Sequence, residues 1–157
     1  MLLEQEYRSA QAAERAARLR RGMVLRAMRA TGSSQRAIAA SLGVTQPAIS
    51  QQLDAAPNPA DVPPDVLLDA AAPLLRRIAA ERGFTDLAVF GSVARGQSRR
   101  DSDIDLLVQP PEHTTITELI ELRELFAQIL CRSVDLVTYN SLTPGVDDDI
   151  TREAVPL

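Results

Sequence analysis

Several residue types are scarce or missing. One cysteine in 157 residues, Cys131, excludes an internal disulfide, and one histidine, His113, excludes a histidine-built metal cluster. Cys131 ends an apolar helical segment and reads as a buried packing residue. Lysine is absent: all 17 basic side chains are arginine, which, with the abundant alanine, reads as genomic base composition rather than function. No apolar run approaches the roughly 20 residues of a membrane helix, and the N-terminus lacks the apolar core of a signal peptide. A soluble cytoplasmic protein with no membrane association is expected. What is present suffices for folding: 45% of residues are hydrophobic, and the length holds one ordinary domain or two small ones.

The net charge of −4 is unevenly spread. Residues 1–56 carry eight Arg against four acids, and residues 57–157 carry nine Arg against seventeen. A basic front and an acidic back point to two modules with different partners, only the first suited to a polyanion. Residues 5–30 lack proline and predict a helix, on which Arg8, Arg15, Arg18, Arg26 and Arg29 fall within roughly a quarter of the circumference. That stripe is either a solvated face or a phosphate-facing one. The stretch 55–64 is rich in proline and marks the domain boundary. The expected division is therefore 1–56, a linker at 57–64, and 65–157.

Within the first module, Ser33 or Ser34 can cap a short helix that Gly43 ends, and Thr45 can cap the next. Pro47 is tolerated in that second helix's first turn. Ile38, Ala39, Leu42, Val44, Ile49 and Leu53 supply a small apolar core. The segment 33–53 resembles the helix-turn-helix of phage-repressor-like regulators, with small Ala39, turn Gly43 and apolar Val44. The resemblance implies an all-α DNA-binding domain in which Thr45, Gln46, Ser50 and Gln51 face the duplex. Gln can pair with adenine in the major groove, and Ser or Thr commonly contacts phosphate. A helical hairpin used for dimerisation or partner docking is the alternative. A lone half-site reader of modest charge binds weakly, so a homodimer engaging two half-sites would answer that objection.

The second module carries the most informative pattern. Gly91-Ser92 is followed, after ten residues, by Asp103-Ile104-Asp105 at the head of an apolar run. Alternation along that strand puts Asp103 and Asp105 on one face and Ile104 and Leu106 on the other. Two adjacent carboxylates repel each other unless a cation lies between them, and hard oxygen ligands favour Mg²⁺. Gly91 lets a phosphate approach the backbone. Ser92 adds a hydroxyl, and the short helix after it offers free N–H groups to a triphosphate.

This pattern resembles the minimal nucleotidyltransferases of the DNA polymerase beta superfamily over roughly residues 66–155. The resemblance implies an α/β (α+β) domain with a small mixed sheet, using ATP with Mg²⁺, two ions being expected. It implies that Asp135, alternating with Val134 and Leu136, joins Asp103 and Asp105 in the metal site and helps deprotonate the attacking hydroxyl. Arg95 falls within reach of the β- and γ-phosphates, and Ser102 is expected to orient the loop before Asp103 through a backbone hydrogen bond. Many members of the group act as antitoxins that adenylylate a HEPN-type RNase toxin. The resemblance thus implies a toxin partner, hetero-oligomer formation and, through the first module, operator DNA. The alternatives are a transcriptional regulator that senses nucleotide, or transfer to a small molecule such as an aminoglycoside. The latter fits an open site poorly, since a small acceptor needs an enclosed pocket.

Overall fold

The computed structural model describes residues 1–157. The alanine- and arginine-rich start forms one helix, α1 (Leu2–Ala30), beginning three residues before the expected position. Residues 2–15 of it are exposed, whereas Leu19, Met23, Leu25 and Ala27 are buried. Two short helices follow, α2 (Gln35–Leu42) and α3 (Gln46–Ala55). Ser34 Oγ accepts the Ala37 N–H at 3.1 Å and Thr45 Oγ1 accepts the Ala48 N–H at 3.3 Å, so both expected caps form. Gly43 ends α2 at φ +68°.

Ile38, Ala39 and Ile49 close against Leu25 of α1, with Met28 and Leu53 at the margin. Leu42 and Val44, expected in this core, are instead 53% and 40% exposed. Two short helices on one face of α1 can enclose only a few side chains. The turn between them is left outside.

The proline-rich stretch is not a free tether. It forms a single 3-10 turn, Pro59–Asp61, capped by Asn58, with Pro59 buried. Arg132 donates to the carbonyls of Ala60 and Val62 and pins the stretch to the rest of the protein. Helix α4 (Pro64–Glu81) follows. Pro63 holds its N-cap position, with no side-chain cap. Asp65 lies inside the first turn, where its charge complements the helix dipole.

Strand β1 (Thr85–Phe90) leads into a four-residue helix, α5 (Gly91–Ala94). Strand β2 (Ile104–Gln109), helix α6 (Ile116–Leu130) and strand β3 (Val134–Thr138) come next. A short helix α7 (Asp148–Glu153) then gives way to a two-residue strand, β4 (Val155–Pro156). The sheet order is β3-β2-β1-β4, with β2 and β3 parallel and both other pairings antiparallel. The expected small mixed sheet is therefore present, with four strands.

One sheet face carries Leu87, Val89, Ile104, Leu106 and Val108 into the main core, against Leu67, Leu68 and Leu75 of α4 and Leu122, Phe126 and Ile129 of α6. Leu19, Met23 and Ala27 of α1 join that same core. Helix α1 therefore belongs to both hydrophobic cores. The opposite sheet face is covered by the C-terminal segment, where Ala88, Phe90 and Leu107 meet Val137, Tyr139, Leu142 and Ile150. Thr115 and Glu118 form a reciprocal capping box at the start of α6. At its other end Cys131, expected to be buried, is exposed. It takes the left-handed C-cap position at φ +50°, one step past the last turn, where its side chain no longer follows the apolar face.

Candidate active site

Asp105 and Asp135 are direct register partners on the parallel strands β2 and β3. The alternation that buries Ile104 and Leu106 behind the sheet turns Asp105 to the face of Leu107 and Phe90, and Asp135 to the same side. Asp103 precedes β2 by one residue and is exposed. Asp105 is half-buried, and its carboxyl is raised to about 6. Its own burial is the largest cause; Asp135 comes next and Asp103 adds less, while Arg95 opposes them. The three predicted carboxylates thus share one electrostatic neighbourhood. They do not converge on a single point, because no three His, Cys, Asp or Glu side chains form a ready metal cage.

The donor set nonetheless fits a hard divalent cation. It comprises only carboxylate oxygens, two of them brought into register by a parallel ladder that has no other use for paired charges. A cation between Asp105 and Asp135 would relieve the repulsion that lifts Asp105.

Gly91 serves more than phosphate access. It has φ +71°, and a Cβ there would lie 2.1 Å from Asp105 Oδ2 and 3.0 Å from Cγ. Strand β1 is antiparallel to β2 with Phe90 opposite Asp105, so the chain turns directly over that carboxylate. Only glycine fits both the left-handed backbone and the close approach. The Gly-Ser turn and the Asp-x-Asp pair, ten residues apart in sequence, are one packed unit.

The remaining predicted residues have definite places. Ser92 is half-buried in α5. Arg95 ends that helix; its Nε donates to Gln97 Oε1 at 3.2 Å, and its side chain is 47% exposed. Ser102 Oγ accepts the Arg99 N–H at 2.7 Å, bracing the loop before Asp103. Thr45, Gln46 and Gln51 are exposed and Ser50 is half-buried, more than a helix away from the carboxylates along the chain. Gln46 Nε2 donates to Gln35 Oε1 at 2.7 Å, tying α3 to α2.

Glu153 joins the site with no signal in the sequence. Its Oε1 accepts the Gly91 N–H at 3.0 Å, and both carboxylate oxygens accept from Arg95 Nη1, at 3.2 and 3.0 Å. Arg95, followed by the Gly91 N–H, holds the Glu153 carboxyl below its usual range, partly offset by burial. The pairing spans about 60 residues of chain. No local spacing signals it.

Asp103 and Asp135 are exposed, and Asp105 is half-buried. A cavity of about 410 Å³, lined by Phe84, Leu87, Tyr139 and Leu157 among others, opens at the other end of β1 and contains none of Asp103, Asp105 and Asp135.

A mixed sheet that brings a glycine turn against one of two paired strand carboxylates is the arrangement of a nucleotidyl-transfer domain. The family model for "Polymerase beta, Nucleotidyltransferase" matches residues 77–157, and the chain belongs to that family. It is 37% identical over 75 residues to a candidate protein adenylyltransferase of Methanocaldococcus jannaschii, covering 48% of this chain and 81% of that protein. It is 40% identical over 73 residues to the protein adenylyltransferase MntA of Thermococcus cleftensis, covering 46% of this chain and 74% of that one. A solved structure of a candidate minimal nucleotidyltransferase superposes with a TM-score of 0.53 at 38% identity, over 57% of this chain and 92% of its own.

Proposed function

We propose that the protein is an antitoxin-like adenylyltransferase that moves AMP from ATP to a hydroxyl of a partner protein, a HEPN-type toxin. The observation that carries this reading is the Gly91 turn packed on Asp105, with the exposed Asp135 in register beside it. Exposed carboxylates suit a protein acceptor, which brings its own walls. The kinship to protein adenylyltransferases supports the same acceptor class.

Asp103, Asp105 and Asp135 would hold Mg²⁺, which when bound offsets charge on the phosphates and on the attacking oxygen. The acceptor hydroxyl loses its proton to the Asp135 carboxylate as its oxygen bonds to the α-phosphorus. The bond from that phosphorus to the oxygen bridging the α- and β-phosphates breaks, and pyrophosphate leaves. Ser92 and Arg95 would contact the β- and γ-phosphates, where Arg95 would offset the charge that gathers on the leaving group. Ser102 keeps the approach loop in place through Arg99.

Residues 1–56 are proposed to bind operator DNA, with Thr45, Gln46, Ser50 and Gln51 toward the duplex. The caps at Ser34 and Thr45 and the left-handed turn at Gly43 support a helix-turn-helix. Because α1 lies in both cores, a nucleotide-sensing regulator is the second reading.

The test uses purified protein, Mg²⁺, α-labelled ATP and the product of the adjacent gene. Label is expected on that partner and lost with Asp103→Asn. Operator binding that responds to ATP with no labelled product favours the second reading instead. Gel shifts with the DNA upstream of the gene, across a salt series, separate specific binding from loose attraction to arginines.

A further inference from the structure

Glu153 lies at the end of α7, held there by the strand that follows it. Val155 of β4 pairs with Val89 of β1, so the last residue of α7 is brought over the first residue after β1. Its carboxylate then serves two groups at once. It accepts the backbone N–H of Gly91, the residue whose left-handed turn packs on Asp105, and it pairs with Arg95 Nη1. Gln97 takes the Arg95 Nε. Two of the three guanidinium nitrogens are therefore committed to steering, and Nη2 has no acceptor among the protein's hydrogen bonds.

We propose that Glu153 is a positioning residue of the nucleotide site, acting through Gly91 and Arg95. It fixes the Gly-Ser turn against Asp105 and aims the free edge of the Arg95 guanidinium at the nucleotide's phosphates. The proposal rests on the reading of Arg95 as a phosphate ligand. An exposed arginine without such a brace samples many rotamers and must lose them when it binds phosphate. A carboxylate that grips one edge removes that cost beforehand and leaves the other edge available. The same carboxylate could act in the opposite sense, as an internal anion that phosphate must displace. The two roles differ in the sign of the effect on nucleotide affinity.

The experiment measures ATP binding to the full-length protein by calorimetry in Mg²⁺, for the wild type, Arg95→Ala, Glu153→Ala, Glu153→Gln and the double variant. Glu153→Ala is expected to weaken ATP about ten-fold. Glu153→Gln is expected to restore most of that loss, to within about three-fold of wild type, because an amide oxygen still accepts from Gly91 and Arg95. In the Arg95→Ala background, Glu153→Ala is expected to cost no more than about three-fold, since most of its effect passes through the missing arginine.

Tighter or unchanged binding in Glu153→Ala, with Arg95→Ala weakened, overturns the positioning role but leaves the proposed function standing. Full additivity in the double variant overturns it as well. Unchanged affinity in Arg95→Ala removes the phosphate role of that arginine, and the proposal falls with it. Should Glu153→Ala not fold, Glu153→Met, which keeps the side-chain length but has no strong acceptor for Gly91 or Arg95, is read by the same criteria, alone and in the Arg95→Ala background.

Discussion

Two cores are built on one helix, and they differ sharply in size. Behind the sheet, 21 buried residues from α1, α4, α6 and the strands form one cluster. Around Ile38 and Ile49 only four do, one of them borrowed from α1. Burial per residue is equally complete at both centres, with Ile49 and Leu106 each at 0% exposure. The difference is in redundancy. A small cluster loses a large fraction of its contacts with one side chain, while a large one spreads the loss. The part proposed to read DNA is thus the more fragile, and the part proposed to do chemistry the more robust.

Paired truncations test this contrast most strongly. Ile49→Ala and Leu106→Ala each remove a fully buried side chain at a cost of roughly 2–5 kcal/mol. Ile49→Ala is expected to expose α2 and α3 to amide hydrogen exchange while β1 and β2 stay protected and ATP still binds. Leu106→Ala is expected to lower the protection of every element together. If Ile49→Ala deprotects the sheet equally, the two cores are one cooperative unit.

Asp103→Asn leaves both cores intact and isolates the chemistry. It is expected to cut nucleotide transfer on the order of 10²–10³-fold, the scale of losing one group that stabilises transition-state charge. Its thermal midpoint should stay near wild type, because Asp103 is exposed. Transfer that survives the change would sink the carboxylate assignment.

Gly91→Ala joins packing and chemistry. The added methyl meets Asp105 Oδ2 and the left-handed backbone disfavours it, costing about 1–3 kcal/mol in melting experiments. ATP binding should fall along with stability. A variant of wild-type stability and affinity would show that the turn relaxes away from Asp105.

The smallest effect concerns pH. Asp105 is raised to about 6 in the folded chain, above its unfolded value, so its ionised form opposes folding. The opposition is absent below about pH 4 and grows as pH rises through 6. With divalent ions chelated, Asp105→Asn should therefore raise the midpoint at pH 8 by about 1–3 °C and leave it unchanged at pH 4. Solvent screening at a half-exposed carboxylate keeps the gain small. Added Mg²⁺ should erase the gain by stabilising the wild type alone.

Much of the site was legible because its signals are local. Period-two alternation put Ile104 and Leu106 inside and Asp105 outside, and glycine at 91 marked a turn. The hydroxyls of Ser34 and Thr45 announced helix starts. What escaped was long-range or marginal. Glu153 meets Arg95 and Gly91 only after the chain returns as β4, a strand of two residues with no periodicity to read. Leu42 and Val44 have the right chemistry for a core too small to take them. Cys131 follows an apolar face yet falls one residue beyond it. Gly91 was read for access to phosphate, but its contact with Asp105 required the register of β1 on β2.

The double membership of α1 has a consequence for assembly. Leu25 faces one core while Leu19, Met23 and Ala27 face the other, so this helix works as an axle on which both parts are mounted. Cutting the chain at the proline-rich stretch would strip the apolar side of α4 as surely as it would remove α2 and α3. A protein docked on the carboxylates and a duplex docked on α3 would both be carried on α1, which lies in both cores. Were both proposed ligands bound, occupancy at one end would bring the other to the same address.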